Sequence, residues 1–272
     1  MPRGYRNDGQ PRQRRDGSGP VSITLASTPA AVKPSRFTIN QRFGFVTDMV
    51  NMVTSGEQAS VIICGPGGLG KSHTVMSALQ SQGFRDATLG EATGKKTYTV
   101  VKGYSTAKGL FRLLYENQEG VIVFDDCDSV LKDPVSLSLL KTALDSYSRR
   151  VVTWRADFRD EDLPNSFLFK GRVIFISNMS STQLDQAVVT RSLCVDLSMT
   201  VDQKVERMQH LLTSAEFMPE YTQSHKQDAM ALISRVRNEA KELSLRTLIQ
   251  CVKIRKAGSA SWSQLAEYAI CG

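Results

Sequence analysis

From Thr38 onward the chain alternates between two apolar patterns. Phe43, Val46, Met49, Val50 and Val53 recur at helical spacing; Asn40 can cap that helix, which ends near Gly56. Val61-Ile62-Ile63-Cys64 is then apolar without a break, as a parallel strand buried on both faces is. Further strands are predicted at Tyr98–Val101, Val121–Phe124, Val173–Ile176 and Leu193–Leu197. Helical patterns lie between them, from after Gly70 to about Gln82 and from Thr106 to Asn117, the latter carrying Leu110, Leu113 and Leu114. Strands alternating with helices predict an α/β fold, a parallel sheet with helices on both faces. After Met199 the strand pattern stops. Val201, Val205, Met208, Leu211 and Leu212 predict one helix, Met230, Ile233, Val236 and Ala240 a second, and Leu245, Leu248, Ile249 and Val252 a third, together a small helical domain. No internal repeat is present.

Residues 1–34 break the pattern. They hold five of the nine prolines, four glycines and one aromatic residue, which predicts a disordered tail. The tail carries +4 of the net charge of +7, so the remaining body is only +3 and its basic character is slight. Arg3, Arg6, Arg12, Arg14 and Arg15 either contact phosphates or solubilise the chain. No apolar core follows them, so they do not form a secretory signal, and no run reaches the ~18 apolar residues that span a bilayer. The five cysteines are odd in number, widely spaced and mostly in apolar segments, the pattern of reduced thiols in a cytoplasmic protein. No cysteine pair or histidine cluster has zinc-ligand spacing.

The chemistry concentrates at strand ends. Gly65-Pro66-Gly67-Gly68-Leu69-Gly70-Lys71-Ser72 fits G-x-x-x-x-G-K-[ST] between a strand and a helix, the context a phosphate-binding loop requires. Its backbone N–H groups form an anion nest at a helix N-terminus, Lys71 reaches the β- and γ-phosphates, and the Ser72 hydroxyl serves Mg²⁺. His73 follows directly and is counted with the nucleotide-binding residues. The strand Val121–Phe124 ends in Asp125-Asp126, where open α/β sheets bind ligands. Asp125 is placed to hold Mg²⁺ and Asp126 to orient the attacking water. Asp128 reads better as a solvated or helix-capping residue. Asn178, after the fourth long strand, can bond the attacking water or the γ-phosphate, although alone it is an ordinary turn residue.

In this order the residues resemble the AAA+ ATPase family of P-loop NTPases over about Phe37 to Gly258. Gly65–Ser72 matches Walker A, Val121–Asp126 matches Walker B, and Asn178 stands at the sensor-1 place. Leu184 to Arg191 looks like the segment ending in the arginine finger, which makes Arg191 the candidate finger. Ser244-Leu245-Arg246-Thr247-Leu248 looks like the sensor-2 motif of the helical lid, with Arg246 facing the phosphates. Most members end Walker B in Asp-Glu; the Asp-Asp here bears on turnover rather than on binding. The resemblance implies an α/β nucleotide-binding domain over 35–199 and a helical lid over 200–258; a C-terminal segment over 259–272 follows. It also implies ATP and Mg²⁺ as ligands, ATP hydrolysis, and a homo-oligomeric ring, a hexamer by family habit. Compact members of this kind are common in phages and mobile elements.

The substrate stays open. Lys102-Gly103-Tyr104 lies where AAA+ rings place a pore loop, and Tyr104 either grips a threaded polymer or packs on its own domain. Val151–Trp154 and Phe167–Phe169 predict a hairpin around 160–165, with Arg149, Arg150, Arg155, Arg159, Lys170 and Arg172 on or beside it. That region is either a DNA or RNA contact, as in viral superfamily-three helicases, or a solvated loop balanced by Asp157, Asp160, Glu161 and Asp162. The expectation is an ATP-driven motor remodelling or loading on nucleic acid. The alternatives are a protein-remodelling motor and a slowly hydrolysing ATP-dependent assembly switch.

Overall fold

A computed structural model describes residues 35–90, 96–155 and 163–272. The predicted tail, Arg159 and the four acidic residues 157 and 160–162 lie outside these. All described residues belong to one unit, Pro34–Gly272. Its elements in order are α1 (Ile39–Ser55), β1 (Ser60–Cys64), α2 (Lys71–Ser81), β2 (Arg85–Asp86), β3 (Thr97–Lys102), α3 (Ala107–Glu116) and β4 (Val121–Asp125). Then come a 3-10 turn (Asp128–Leu131), α4 (Pro134–Ala143), β5 (Val151–Thr153), β6 (Ser166–Leu168), β7 (Arg172–Ile176), α5 (Gln186–Val189) and β8 (Leu193–Asp196). Four helices end the chain: α6 (Val201–Leu212), α7 (Gln223–Val236), α8 (Leu245–Lys256) and α9 (Trp262–Cys271).

Six strands form a parallel sheet in the order β2-β3-β4-β7-β1-β8. The unbroken apolar runs follow from this placement, because each central strand faces a helical layer on both sides. Ile62, Ile122, Phe124, Val173 and Phe175 point to the layer of α3 and α4, where Phe124 and Phe175 stack with centroids 5.4 Å apart. The alternate residues Val61, Ile63, Val121, Val123, Ile174 and Ile176 point to α1 and α2. β5 and β6 pair antiparallel as the predicted hairpin, and Val152, Phe167 and Phe169 bury its inner side in the first layer.

α6 to α9 bury a third cluster around Met208, Ile233, Leu248 and Val252. The segment 259–272 is mostly helix α9, whose Ala266 and Ile270 pack inside this cluster. Two arginines join the helical region to the sheet. Arg42 of α1 donates to the carbonyls of Asp196 and Ser198 and to Gln203, and Arg207 of α6 lies 3.8 Å over the Phe43 ring while donating to Asn40. Burial pulls the Arg207 pKa down to about 10. Asn40 thus serves this joint. The α1 cap is Thr38, in a reciprocal capping box with Gln41. No described helix is long and apolar enough to cross a membrane.

Candidate functional site

The order β4-β7-β1 sets three sequence-distant strand ends side by side. Adjacent strands lie about 4.8 Å apart, so the tips of β4 and β1 are roughly 10 Å apart with β7 between them. β1 leads into Gly65, β4 ends in Asp125, and β7 runs through Ser177 to Asn178. The middle position makes Asn178 a bridge. Its Oδ1 accepts from the Lys71 ammonium at 2.9 Å and its Nδ2 donates to Asp126 at 2.8 Å.

Three glycines in the loop before α2, Gly65, Gly68 and Gly70, hold a positive φ, and at two of them a side chain would also collide. Gly65 has φ +130° and a Cβ there would meet the Leu197 backbone at 2.9 Å; Gly68 has φ +71° and a Cβ would meet Ser244 at 3.0 Å. Lys71 is 5 % exposed, and its ammonium also donates to the carbonyls of Gly65 at 2.6 Å and Pro66 at 2.8 Å. Burial lowers its pKa, and Asp126 and Asp125 act against that shift. The Ser72 hydroxyl donates to Asp125 Oδ1 at 2.7 Å. Asp125, 4 % exposed, also takes the Lys102 ammonium at 3.1 Å on Oδ2. Asp126 is exposed and holds a left-handed φ of +56°, rare for a non-glycine residue. Asp128 accepts from the Ser177 hydroxyl at 2.6 Å, so it braces the strand tip.

The helical region closes over this cluster. The N–H of Leu245 donates to the Gly68 carbonyl at 2.7 Å, which seats the start of α8 on the loop. Arg246 thereby lines a cavity of about 230 Å³ together with Lys71, Ser72, Asp126 and Asn178. A more apolar cavity of about 430 Å³ continues from it, sharing Gly70, His73, Leu245 and Ile249 and walled by Leu211 and Phe217. A polar end beside an ammonium and an apolar end beside it suit a charged, ring-bearing ligand.

Arg191 lies elsewhere. It precedes β8, whose Leu193 pairs with Val61 at the start of β1, while the loop follows the other end. Its guanidinium donates to the Ala187 carbonyl at 2.9 Å and stands 3.9 Å from Asp145, beside a separate cavity of about 540 Å³. Asp185 caps α5 and pairs with Lys141 at 3.1 Å, which holds its carboxyl below the usual range. Among the predicted basic surface residues, Arg150 turns inward to the carbonyls of Ala143 and Gly171, and Lys170 pairs with Glu119. Arg149 and Arg155 are exposed, as is Tyr104 at 77 %. Sequence reasoning missed the Lys102–Asp125 pair, which only the strand register makes visible.

Residues 61–203 match the family described as "ATPase family associated with various cellular activities (AAA)". The chain is 28 % identical over 250 residues to the "Uncharacterized 36.7 kDa protein in nrdC-mobD intergenic region" of Enterobacteria phage T4, covering 84 % of this chain and 73 % of that protein. Among solved structures it is similar to "Structure of C. elegans PCH-2", at 14 % identity and a TM-score of 0.46, over 85 % of this chain and 67 % of that one. The family match spans a little over half of the 272 residues, and with a parallel sheet bearing the phosphate-loop motif and a helical lid, the chain belongs to the AAA family of P-loop ATPases.

Proposed function

We propose that the protein hydrolyses ATP within a homo-oligomeric ring and uses the turnover to move or load a nucleic acid. The observation that carries the hydrolase reading is the run of contacts from Lys71 through Asn178 to Asp126, beside Ser72 on Asp125. The loop from Gly65 to Ser72, with His73, cradles the triphosphate. Lys71 exchanges its carbonyl acceptors for the β- and γ-phosphates. Ser72 and Asp125 fit Mg²⁺: a hydroxyl and a buried carboxylate share one locus, and an ammonium cation already stands against the second carboxylate oxygen. When bound, the ion supplies charge neutralisation at the phosphates. Asp126 polarises the attacking water, and Asn178 holds that carboxylate in place. Arg246 reaches the phosphates from the lid.

The position of Arg191 supports the oligomeric reading. Its place at the far end of β8 puts it roughly 10 Å along the strand from the loop, at about 3.3 Å per residue, before either end is counted. That position favours action on a neighbour's nucleotide, where a guanidinium offsets charge developing on the γ-phosphate. Exposed Arg149 and Arg155 beside the hairpin support a nucleic-acid substrate. A second reading, protein remodelling, draws on exposed Tyr104, and a slow switch draws on the short Asp126 side chain. Phosphate release from ATP, measured alone and with single-stranded DNA, duplex DNA or an unfolded protein, separates them. Stimulation by nucleic acid supports the proposal. Stimulation by the unfolded protein alone transfers it to the second reading, and slow unstimulated turnover transfers it to the switch.

A further inference from the structure

The salt bridge between Lys102 and Asp125 takes no part in the reaction described above. Lys102 closes β3, and the register sets it opposite Asp125, the last residue of β4. The Asp125 carboxylate is thus divided between the Ser72 hydroxyl on one oxygen and an ammonium at 3.1 Å on the other. Asp125 is buried, whereas the Lys102 side chain is 70 % exposed, so the lysine is the partner able to leave. Without it the buried carboxylate would keep the Ser72 hydroxyl and the field of Lys71 but no cation in direct contact, a less favourable state. The residues that follow connect it back to the strand tip. Gly103 takes φ +86°, Tyr104 projects into solvent, and Ser105 is anchored through its N–H to the Ser129 hydroxyl at 3.1 Å. Ser129 in turn belongs to the 3-10 turn that follows Asp125 and Asp126.

We infer that Lys102 is a positioning residue that occupies Asp125 in place of the divalent ion, and that its departure on metal–nucleotide binding passes the state of the site to the exposed Tyr104 turn. The inference rests on the reading of Asp125 as a metal-holding residue. An ammonium and a divalent ion held by one buried carboxylate repel each other, so metal binding and the Lys102 contact compete. An ion pair with one exposed partner competes modestly, so its removal should tighten metal binding by about threefold to tenfold.

The test is Mn²⁺ binding in the presence of saturating ADP, followed by electron paramagnetic resonance, for wild type, Lys102→Met, Lys102→Arg and Asp125→Asn. A Tyr104→Trp substitution in the wild-type and Lys102→Met backgrounds reports on the turn by fluorescence. Lys102→Met should bind Mn²⁺ about threefold to tenfold more tightly than wild type, with Lys102→Arg close to wild type. The fluorescence of the Tyr104→Trp reporter should respond to Mn²⁺ and ADP in the wild-type background and be already shifted and unresponsive in Lys102→Met. Equal Mn²⁺ affinity in Lys102→Met and wild type overturns the inference; if Asp125→Asn loses Mn²⁺ in the same series, the metal reading survives without it. Wild-type Mn²⁺ affinity in Asp125→Asn removes both. If Asp125→Asn does not fold, the Lys102→Met comparison decides alone, because Lys102 is a surface side chain. An identical fluorescence response of the reporter in both backgrounds overturns the link to the turn.

Discussion

Replacing Asn178 with alanine tests the bridge between the two halves of the site. The change removes the acceptor of one Lys71 bond at 2.9 Å and the donor of the Asp126 bond at 2.8 Å. A hydrogen bond to a buried charged group contributes about 1.5–3 kcal/mol. Asn178 is exposed, so the pair together is worth roughly 1–2 kcal/mol after solvent screening. At about 2–4 °C per kcal/mol for a chain of this size, Tm should fall by only a few degrees. Lys71 keeps two carbonyl acceptors and its approach to phosphate, so ATP affinity should barely change. Turnover should fall on the order of 10²-fold, the usual cost of deleting one positioned donor beside the reacting centre. Calorimetric titration with a non-hydrolysable ATP analogue and phosphate release at saturating ATP measure the two quantities. Wild-type turnover with unchanged binding would refute the bridging role, and loss of binding in step with turnover would refute its assignment to the chemical step.

Asp126→Asn should keep ATP binding and slow hydrolysis, since an amide cannot polarise the water; wild-type phosphate release would move that role to another carboxylate. Arg191→Ala should bind ATP normally but turn over on the order of 10³-fold more slowly, and mixing it with Lys71→Ala subunits should partly restore hydrolysis, because some interfaces then pair an intact loop with an intact arginine. Mixed oligomers with no gain over the separate mutants would rule out action in trans. The lowered Asp185 carboxyl predicts an acid dependence. Its charge, held chiefly by Lys141, stabilises α5 fully above the unfolded aspartate pKa of about 3.9, and this is lost as pH falls through the lower folded value. Asp185→Asn should flatten that part of the acid unfolding curve, and an unchanged curve would contradict the pairing.

The strands and the phosphate loop were legible in the sequence for a physical reason. A parallel strand covered on both faces has to be apolar at every position, and Val61–Cys64, Val121–Phe124 and Val173–Ile176 are. The loop was legible because its glycines occupy backbone conformations that side chains disfavour. Whatever depends on direction or register was not. The cap of α1 falls on Thr38 rather than Asn40, although Thr38 with Gln41 three residues on is a readable capping-box signature. The hairpin arginines read as one basic surface, yet Arg150 is held inward by two carbonyls, an orientation set by packing. The packing of α9 was not legible either, because its buried face is only Ala266 and Ile270 on a helix that leaves Leu265 and Tyr268 exposed. The Lys102–Asp125 pair spans two strands whose alignment no local pattern encodes.

The central claim is that the loop from Gly65 to Ser72 binds a nucleoside triphosphate through Lys71. Calorimetric titration of ATP into Lys71→Ala, with circular dichroism confirming the fold, tests it most directly. The substitution removes the cation poised at Gly65, Pro66 and Asn178 to meet the phosphates. The account predicts affinity weakened by about 100-fold or more, equivalent to at least about 2.7 kcal/mol. A folded Lys71→Ala that binds ATP within about twofold of wild type would contradict it.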